Sequence, residues 1–311
     1  MANLSIKIGD LKLKNPVMVA SGTFGYAEEF DNLMDVGSLG AIVSKTITVS
    51  ARPGNSMPRT CETPSGMLNS IGLENPGVEK FVKEKLPMLS KYKVPLIISI
   101  AAMDGPEDFS RLAKRLNKIK EVAAIELNIS CPNVKHNVGK TKANCQLISQ
   151  DAQATYEAVR KARHGTNKTI ITKLSPNVTD IVEIAQAAEK AGTDCFALVN
   201  TFSALSIDIN TLRPKVAACF AGLSGPAIRP IALRMVWQLR QETKLPIIGM
   251  GGIIDAESAL EFFISGANAV AVGTGNFINP RCSIDIISGL KKYLIKKNIS
   301  GITRLSGSLD L

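Results

Sequence analysis

The 311-residue sequence is poor in the residues that most metal centres and disulfide frameworks require. It has two histidines, too few for a multi-histidine metal site, and none of its six cysteines belongs to a Cys-x-x-Cys pair. These absences exclude zinc ribbons and clustered iron–sulfur ligation by this chain, and a chain of this length needs no disulfide bonds to fold. We therefore expect no bound metal and a location in the reducing cytoplasm.

Long apolar runs, a signal peptide and a basic arm are also missing. No apolar run reaches the roughly 18 residues of a membrane-spanning helix, and no apolar leader precedes the first polar–apolar alternation. Aromatic residues make up 5% of the chain, too few for a base-stacking platform. The net charge of +10 is dispersed, and its densest cluster, at residues 291–297, has the spacing of a solvated helix face. We expect neither a membrane nor a nucleic acid as partner, and the positive charge suits an anionic ligand.

Eight short apolar runs alternate with eight amphipathic segments along the chain. The runs are apolar at nearly every position, as strands covered on both faces are. We predict strands at 16–20, 41–45, 96–100, 124–128, 169–174, 195–200, 246–250 and 269–272. We predict helices around 28–36, 78–90, 106–118, 151–163, 179–191, 227–243, 255–265 and 283–297. Eight such repeats favour an α/β fold, a (β/α)₈ TIM barrel that forms one domain over residues 1–311, rather than a doubly wound sheet.

Three connections are longer than a barrel needs, at 46–77, 129–149 and 201–226. Each follows a predicted strand, so each extends a βα loop at the C-terminal face of the barrel, where barrel enzymes keep their active sites. Long connections within a compact domain are usually functional. We therefore expect the site at this face.

The predicted strand ends are unusually polar and glycine-rich. The candidates are Ser21, Lys45, Thr46, Ser99, Asn128, Lys173, Asn200, Thr201, Gly251, Gly252, Gly273 and Thr274. The pairs Gly251-Gly252 and Gly273-Thr274 follow strands 7 and 8, whose loops often bind phosphate in barrel enzymes. The alternative is that these glycines only form tight βα turns. Lys45 and Lys173 stand in apolar strands, which favours a ligand-facing cation over the alternative of an internal salt bridge.

Residues 126–134 leave strand 4 and enter a long connection that contains Cys131 between Asn128 and Asn133. A thiol is acidic enough to serve as a general base if its thiolate is stabilised, and the two amides suit a planar polar ligand. The alternative is that Cys131 only packs beneath the connection. Gly139-Lys140-Thr141 lacks the first glycine of a P-loop, and no Gly-x-Gly-x-x-Gly follows an early strand, so neither phosphate motif is present.

The sequence resembles dihydroorotate dehydrogenase, class 1, and specifically the catalytic subunit of the NAD-linked, two-subunit type (class 1B). The resemblance extends over nearly the whole chain. Its most specific segments are 20–22 (ASG), 65–77 (SGMLNSIGLENPG), 128–136 (NISCPNVKH), 173–181 (KLSPNVTDI) and 222–228 (GLSGPAI).

The resemblance implies one flavin mononucleotide (FMN) per chain at the barrel mouth and dihydroorotate stacked on it. The implied FMN contacts are Ser21, Lys45, Thr46, Ser99, Asn128, Lys173, Val199, Gly225, Gly251, Gly252, Gly273 and Thr274. The implied substrate contacts are Lys45, Asn69, Ser70, Ile71, Gly72, Leu73, Asn128, Asn133, Asn200 and Thr201. Cys131 matches the catalytic base of class 1, which removes a proton while hydride leaves for the flavin, so that orotate forms for pyrimidine biosynthesis.

The resemblance also implies partners. Class 1B chains form a homodimer flanked by two electron-transfer subunits, which carry FAD and a [2Fe–2S] cluster and reduce NAD. Ser99 stands where class 1B members commonly have Asn, so a fumarate-linked, class 1A-like enzyme is one alternative. A flavin barrel similar to the dihydropyrimidine dehydrogenase catalytic domain is another. A non-catalytic anion- or nucleic-acid-binding barrel is the alternative outside enzymes, suggested only by the +10 charge.

Overall fold

A closed barrel of eight parallel strands forms the centre of the computed structural model, which describes residues 2–130 and 147–310. The strands are β1 (Val17–Val19), β2 (Ala41–Val43), β3 (Leu96–Ile100), β4 (Val122–Asn128), β5 (Thr169–Lys173), β6 (Cys195–Leu198), β7 (Ile247–Gly249) and β8 (Ala269–Val272). They follow one another around the barrel in chain order, and β8 pairs with β1 to close it. This arrangement confirms the predicted TIM barrel.

The barrel strands are buried on both faces. Every residue of β1, β2 and β8 is buried, and these strands consist of Val, Ile, Ala and Met alone. One face of each strand packs inside the barrel and the other against the surrounding helices, which is why the sequence shows apolar runs in place of alternation. The polar residues therefore collect at the strand ends.

Helices surround the barrel. They are α1 (Val78–Lys80), α2 (Leu86–Ser90), α3 (Glu107–Asn117), α4 (Ala152–Arg163), α5 (Ile181–Lys190), α6 (Arg229–Glu242), α7 (Ala256–Ser265), α8 (Gly275–Ile278) and α9 (Cys282–Lys296). A π-helical turn, Phe81–Lys85, joins α1 to α2. Carboxylates cap three of the helices, because Asp151, Asp180 and Asp255 each accept a hydrogen bond from a backbone N–H of the first turn. None of the helices within the described ranges is both long and apolar enough to cross a membrane.

The prediction of a helix at 28–36 is wrong. The structure has only two short 3₁₀ turns there, Glu28–Phe30 and Val36–Ser38. The intervening segment is rich in Asp and Asn, whose side chains favour turns and caps over helix interiors. The aromatic ring of Phe30 stacks on that of Phe24, with 4.0 Å between the ring centroids, and this packing fixes the first turn.

Eight described strands lie outside the barrel, and none of them was predicted from the sequence. Two of them, Ile6–Ile8 and Leu11–Leu13, pair with each other near the N-terminus. Four of them form an antiparallel sheet in the order Phe202–Ala204, Ala221–Ser224, Gly66–Asn69, Thr60–Thr63. This cap sheet joins two of the long connections, 46–77 and 201–226, across the barrel mouth. The remaining two, Ile207–Asp208 and Arg213–Pro214, pair as an outer hairpin. At the other end of the barrel, the backbone N–H of Asp10, in the turn of the N-terminal pair, donates to Thr169 Oγ1 at the start of β5.

Candidate active site

A cavity of about 550 Å³ lies between the carboxyl ends of the barrel strands and the cap sheet. This volume lies within the range of small-molecule sites. The residues predicted from the sequence that line it are Ser21, Lys45, Thr46, Asn69, Ile71, Gly72, Leu73, Asn128, Lys173, Val199, Asn200, Thr201, Gly225, Gly251, Gly252, Gly273 and Thr274. The structure therefore brings residues from seven of the eight strand ends and from two long connections to one cavity.

Two predicted residues lie behind the cavity wall. Ser99 is fully buried, and its hydroxyl shares a hydrogen bond of 2.9 Å with Thr46 Oγ1. Ser70 is buried as well, and its hydroxyl accepts a hydrogen bond of 2.9 Å from Asn55 Nδ2. Each supports a lining residue or its segment. Cys131 and Asn133 lie outside the described residues.

Asn128 presents an unpaired acceptor at the cavity. Its Nδ2 donates to Thr46 Oγ1 at 3.0 Å, whereas its buried Oδ1 has no hydrogen-bond partner within residues 2–130 and 147–310. A buried amide oxygen without a donor costs free energy. Because Asn128 lines the cavity, a ligand N–H or O–H group is the natural donor.

A buried polar chain crosses the barrel beneath the cavity. Lys173 Nζ donates to Ser21 Oγ at 3.3 Å, and that hydroxyl donates to Glu126 Oε1 at 2.9 Å. Lys173 is 5% exposed and Glu126 is 1% exposed. Glu126 is not among the residues predicted from the sequence, although a charge in an apolar strand, two residues before Asn128, is a signal that could have found it.

The glycines after β7 and β8 leave the backbone open to the cavity. Gly251 and Gly252 have φ angles of 126° and 77°, and a Cβ on Gly252 would lie 2.8 Å from Arg229 Cβ. In the described part of the chain, the backbone N–H groups of Gly251, Gly252, Gly273 and Thr274 donate to no acceptor. Free N–H groups on an open, glycine-lined backbone favour an anion such as a phosphate.

The rim of the cavity carries charges of both signs. Lys45 and Glu74 line it, and Glu74 Oε2 lies 2.6 Å from Arg59 Nη1. The hydrogen bond from Arg59, followed by the attraction of Lys45, holds the pKa of the Glu74 carboxyl below its ordinary value. Glu74 therefore stays ionised beside Lys45. Glu74, Thr23 and Phe277 also line the cavity but were not predicted, because none of them stands at the polar end of a predicted strand. Met67 and Ser224 were not predicted because they lie on strands of the cap sheet, which the sequence did not reveal.

Asn200 contacts the last described residue before position 131. Its Nδ2 donates to the carbonyl oxygen and to the hydroxyl of Ser130, at 3.1 Å and 2.9 Å. Its Oδ1 accepts from the backbone N–H of Thr201 at 2.8 Å. Asn200 thus links the end of β6 to the segment that follows β4.

The described cysteines are poor candidates for a base. Cys61, Cys195, Cys219 and Cys282 are free thiols, and none of the four lines the cavity. Burial raises the pKa of the Cys195 thiol far above its ordinary value. Burial, with Asp255 and Asp285 nearby, raises the pKa of Cys282 to about 12. Both thiols therefore stay protonated near neutral pH. Among residues 2–130 and 147–310, no group of three His, Cys, Asp or Glu side chains is placed to hold a metal ion.

Asn75 fixes the segment that carries residues 69–74 of the cavity wall. Its Oδ1 accepts from the backbone N–H groups of Thr48 and Gly77, and its Nδ2 donates to the carbonyl oxygen of Leu73 at 2.7 Å. The side chain is 5% exposed. One amide therefore joins the extension of β2 to the returning end of the long connection.

Replacing Asn75 with alanine is expected to lower the free energy of unfolding by about 2–4 kcal/mol, because several buried backbone groups lose their partner at once. Denaturant unfolding followed by circular dichroism measures the loss. The exposed Asn210→Ala variant serves as the control and is expected to change stability by less than about 0.5 kcal/mol. A loss below about 1 kcal/mol for Asn75→Ala would show that water replaces these bonds.

Comparisons with known proteins give a consistent result over the whole chain. A family model described as dihydroorotate dehydrogenase matches residues 3–294. A protein of Trichlorobacter lovleyi named dihydroorotate dehydrogenase B (NAD(+)), catalytic subunit, is 47% identical over 307 residues, which cover 99% of this chain and 98% of that protein. A protein of the same name from Thermoanaerobacter pseudethanolicus is 48% identical over 309 residues, 99% of each chain. Another, from Desulforudis audaxviator, is 47% identical over 304 residues, 98% of this chain and 96% of that protein.

Proposed function

This chain belongs to the dihydroorotate dehydrogenase family, and we propose that it oxidises dihydroorotate to orotate for pyrimidine biosynthesis, with FMN bound in the cavity at the barrel mouth. The observation that carries the proposal is the convergence of polar strand ends on one cavity that holds an unpaired buried acceptor, Asn128 Oδ1. An oxidoreductase of this family needs such a site for a planar ligand with both donor and acceptor edges.

The residues present fit a flavin nucleotide. The free N–H groups at 251–252 and 273–274 suit its phosphate, and Asn128 Oδ1 suits an N–H on its ring. Lys173 lines the same cavity, and the Ser21 contact occupies one of the three donors of its ammonium group. FMN, when bound, supplies the two-electron oxidant for the reaction.

The chain's own groups would bind the substrate and accept its proton. We assign the carboxylate of dihydroorotate to the Lys45 side of the cavity and its amide edges to Asn69, Asn128 and Asn200, with Asn133 outside the described residues. Oxidising a carbon–carbon single bond to a double bond requires the removal of a proton and a hydride. We assign the proton to Cys131, because none of the described thiols lines the cavity and burial raises the pKa values of Cys195 and Cys282.

We propose NAD as the final electron acceptor, reached through a separate subunit that carries FAD and a [2Fe–2S] cluster. The names of the relatives, which specify NAD(+) and a catalytic subunit, support this proposal. The absence of a dinucleotide-binding motif from the sequence is consistent with it. Fumarate is the competing acceptor, since Ser99 is the residue expected of the fumarate-linked type. Ser99 lies behind Thr46 and does not line the cavity, which weakens its bearing on the choice of acceptor.

Two measurements test this proposal. The purified chain should bind FMN, and dihydroorotate, but not dihydrouracil, should bleach the flavin absorbance without oxygen. A colourless protein that gains no flavin on reconstitution would contradict the proposal. Adding NAD or fumarate to the reduced chain, alone and with any copurifying iron–sulfur flavoprotein, then separates the two acceptors.

We also propose that the chain forms a homodimer in the cytoplasm. The outer hairpin supports a dimer, because Ile209 and Leu212 lie between its two strands and are 81% and 84% exposed. Exposed apolar side chains grouped in this way mark protein interfaces. The free thiols of the described cysteines are consistent with a reducing compartment.

Replacing Ile209 with aspartate is expected to convert the dimer to a monomer at micromolar concentrations, since a buried, unpaired charge opposes association. Analytical ultracentrifugation measures the mass. Ile295→Asp, on the 58%-exposed surface of α9, is the control and should leave the mass unchanged. A wild-type monomer would overturn the proposed dimer, and an Ile209→Asp dimer of unchanged affinity would place the interface elsewhere.

A further inference from the structure

Glu126 is a buried carboxylate to which the proposed reaction gives no role. It is 1% exposed and stands near the end of β4, two residues before Asn128. Alternate residues of a strand face the same side, so Glu126 lies on the barrel-interior side with Asn128, one layer deeper. The strand register supports this depth, because Asn128 pairs with Lys173 at the end of β5 whereas Glu126 pairs with Ile171, two residues deeper.

A hydroxyl from the opposite side of the barrel connects Glu126 to a cation on the neighbouring strand. Ser21 follows β1 and donates to Glu126 Oε1 at 2.9 Å, and Lys173 Nζ, at the end of β5, donates to the same hydroxyl at 3.3 Å. Ser21 accepts from the ammonium group and donates to the carboxylate, the pattern expected when both end groups are charged. Ser21 and Lys173 line the cavity, so Glu126 lies directly beneath its floor.

Charge balance explains why these two residues occur together. An isolated charge that is buried in a protein interior costs several kcal/mol unless an opposite charge compensates it. Lys173 alone would leave the cavity floor with a charge of +1, and Glu126 alone would leave it with −1. With the Ser21 hydroxyl between them, the floor is neutral while the remaining donors of Lys173 stay available to a ligand.

We propose that Glu126 is the counter-charge of Lys173, and that the pair, joined through Ser21, sets how readily bound flavin is reduced. The inference rests on the proposed function, because it concerns the flavin. A floor of charge +1 would stabilise the negative charge of a reduced flavin and hold the electrons there. A neutral floor lets the electrons pass onward. Glu126 acts on the flavin through the charge of the floor and without contacting the substrate.

The test measures the equilibrium constant for reducing the bound flavin against a reference dye, without oxygen and at saturating FMN. Glu126→Gln keeps the size of the side chain and an acceptor for Ser21 but removes the charge. It is expected to raise the equilibrium constant on the order of tenfold, as the loss of one nearby unit charge does at an effective dielectric constant of about 20. Lys173→Gln is expected to lower it by a similar factor. The double variant restores a neutral floor and should return within about threefold of wild type.

Two comparisons separate charge from structure. Asp108→Asn removes a different buried carboxylate, 4% exposed and bound to the backbone N–H groups of Met103 and Asp104, and should leave the equilibrium constant unchanged. Glu126→Asp keeps the charge and should stay within about threefold of wild type. If Glu126→Gln does not fold, the neutral pair in the double variant is compared with Lys173→Gln, and the same recovery is expected.

The outcomes discriminate clearly. An unchanged equilibrium constant in Glu126→Gln with full FMN content overturns the inference and leaves the proposed function intact, as does a double variant that retains the Lys173→Gln value. A purely structural Glu126 would lower the thermal midpoint or the FMN affinity in Glu126→Gln, with no shift in the reduction equilibrium. A wild-type chain that binds no flavin overturns the proposed function and this inference together.

Discussion

Replacing Cys131 with alanine is expected to slow reduction of the bound flavin by dihydroorotate by about 10²- to 10⁴-fold, the usual contribution of a positioned general base. Removal of the substrate proton is then left to water, whereas the binding groups of the cavity remain. Flavin content and FMN affinity should therefore match wild type. Anaerobic stopped-flow absorbance, which follows the bleaching of the flavin in a single turnover, isolates this step from electron transfer to any partner.

Cysteine controls make the result specific. Cys61→Ala and Cys219→Ala remove partly exposed thiols that do not line the cavity and should leave the single-turnover rate unchanged. Cys131→Ser should retain more activity than Cys131→Ala, because a hydroxyl can still accept a proton and a methyl group cannot. The advantage should appear only at high pH, because a hydroxyl loses its own proton less readily than a thiol. A Cys131→Ala enzyme with a wild-type rate would remove Cys131 from the chemistry, and a variant that lost its flavin would give it a structural role.

Replacing Gly273 with valine is expected to weaken FMN binding by about 100-fold or more while leaving the fold intact. A Cβ on Gly273 would meet only Ala20 Cβ at 3.8 Å and Thr23 Cγ2 at 4.0 Å, which are ordinary contacts. Both neighbours line the cavity, so the valine methyl groups would occupy space that a ligand needs. Fluorescence titration of FMN measures the affinity, and thermal unfolding of the flavin-free protein measures the stability.

Two further glycine variants serve as controls for that experiment. Gly301→Val adds the same side chain at another permissive glycine, one that does not line the cavity, and should change neither quantity. Gly252→Val should lower both, because φ is 77° there and a Cβ would lie 2.9 Å from the carbonyl oxygen of Gly225. If Gly273→Val binds FMN as wild type does, the nucleotide does not approach the β8 loop, and the phosphate assignment fails.

The barrel could be predicted from the sequence because each of its strands is a local apolar run, such as Ala269–Val272, bounded by glycine or polar residues. The cavity residues followed from the same signal, since a parallel barrel brings all strand ends to one face. Lys173 and Asn128, which pair across β4 and β5, were found in this way. The prediction of a helix at 28–36 failed because the apolar spacing suits a helix whereas the Asp and Asn residues of the segment favour turns.

The pairing of strands that are distant in the chain could not be predicted from the sequence. The strands Gly66–Asn69 and Ala221–Ser224 are four residues long and mix glycine, polar and apolar residues, so that they become strands only when each pairs with the other. Glu126 was inconspicuous for a related reason. Its charge marks it as unusual in a strand, but its partners, Ser21 and Lys173, lie more than forty residues away on either side, and only the closed barrel brings the three together.

The cap sheet also constrains how this protein could be recombined with its relatives. A Cβ on Gly66 would overlap the carbonyl oxygen of Ser224, and a Cβ on Gly225 would lie 2.6 Å from Gly66 Cα. The connections 46–77 and 201–226 are thus fitted to each other as one unit over the barrel mouth, although 123 residues separate them in the chain. In a chimera built from two family members, exchanging either connection alone would pair mismatched halves. The two should be transplanted as a single module, and libraries with crossovers between them should be depleted of folded proteins.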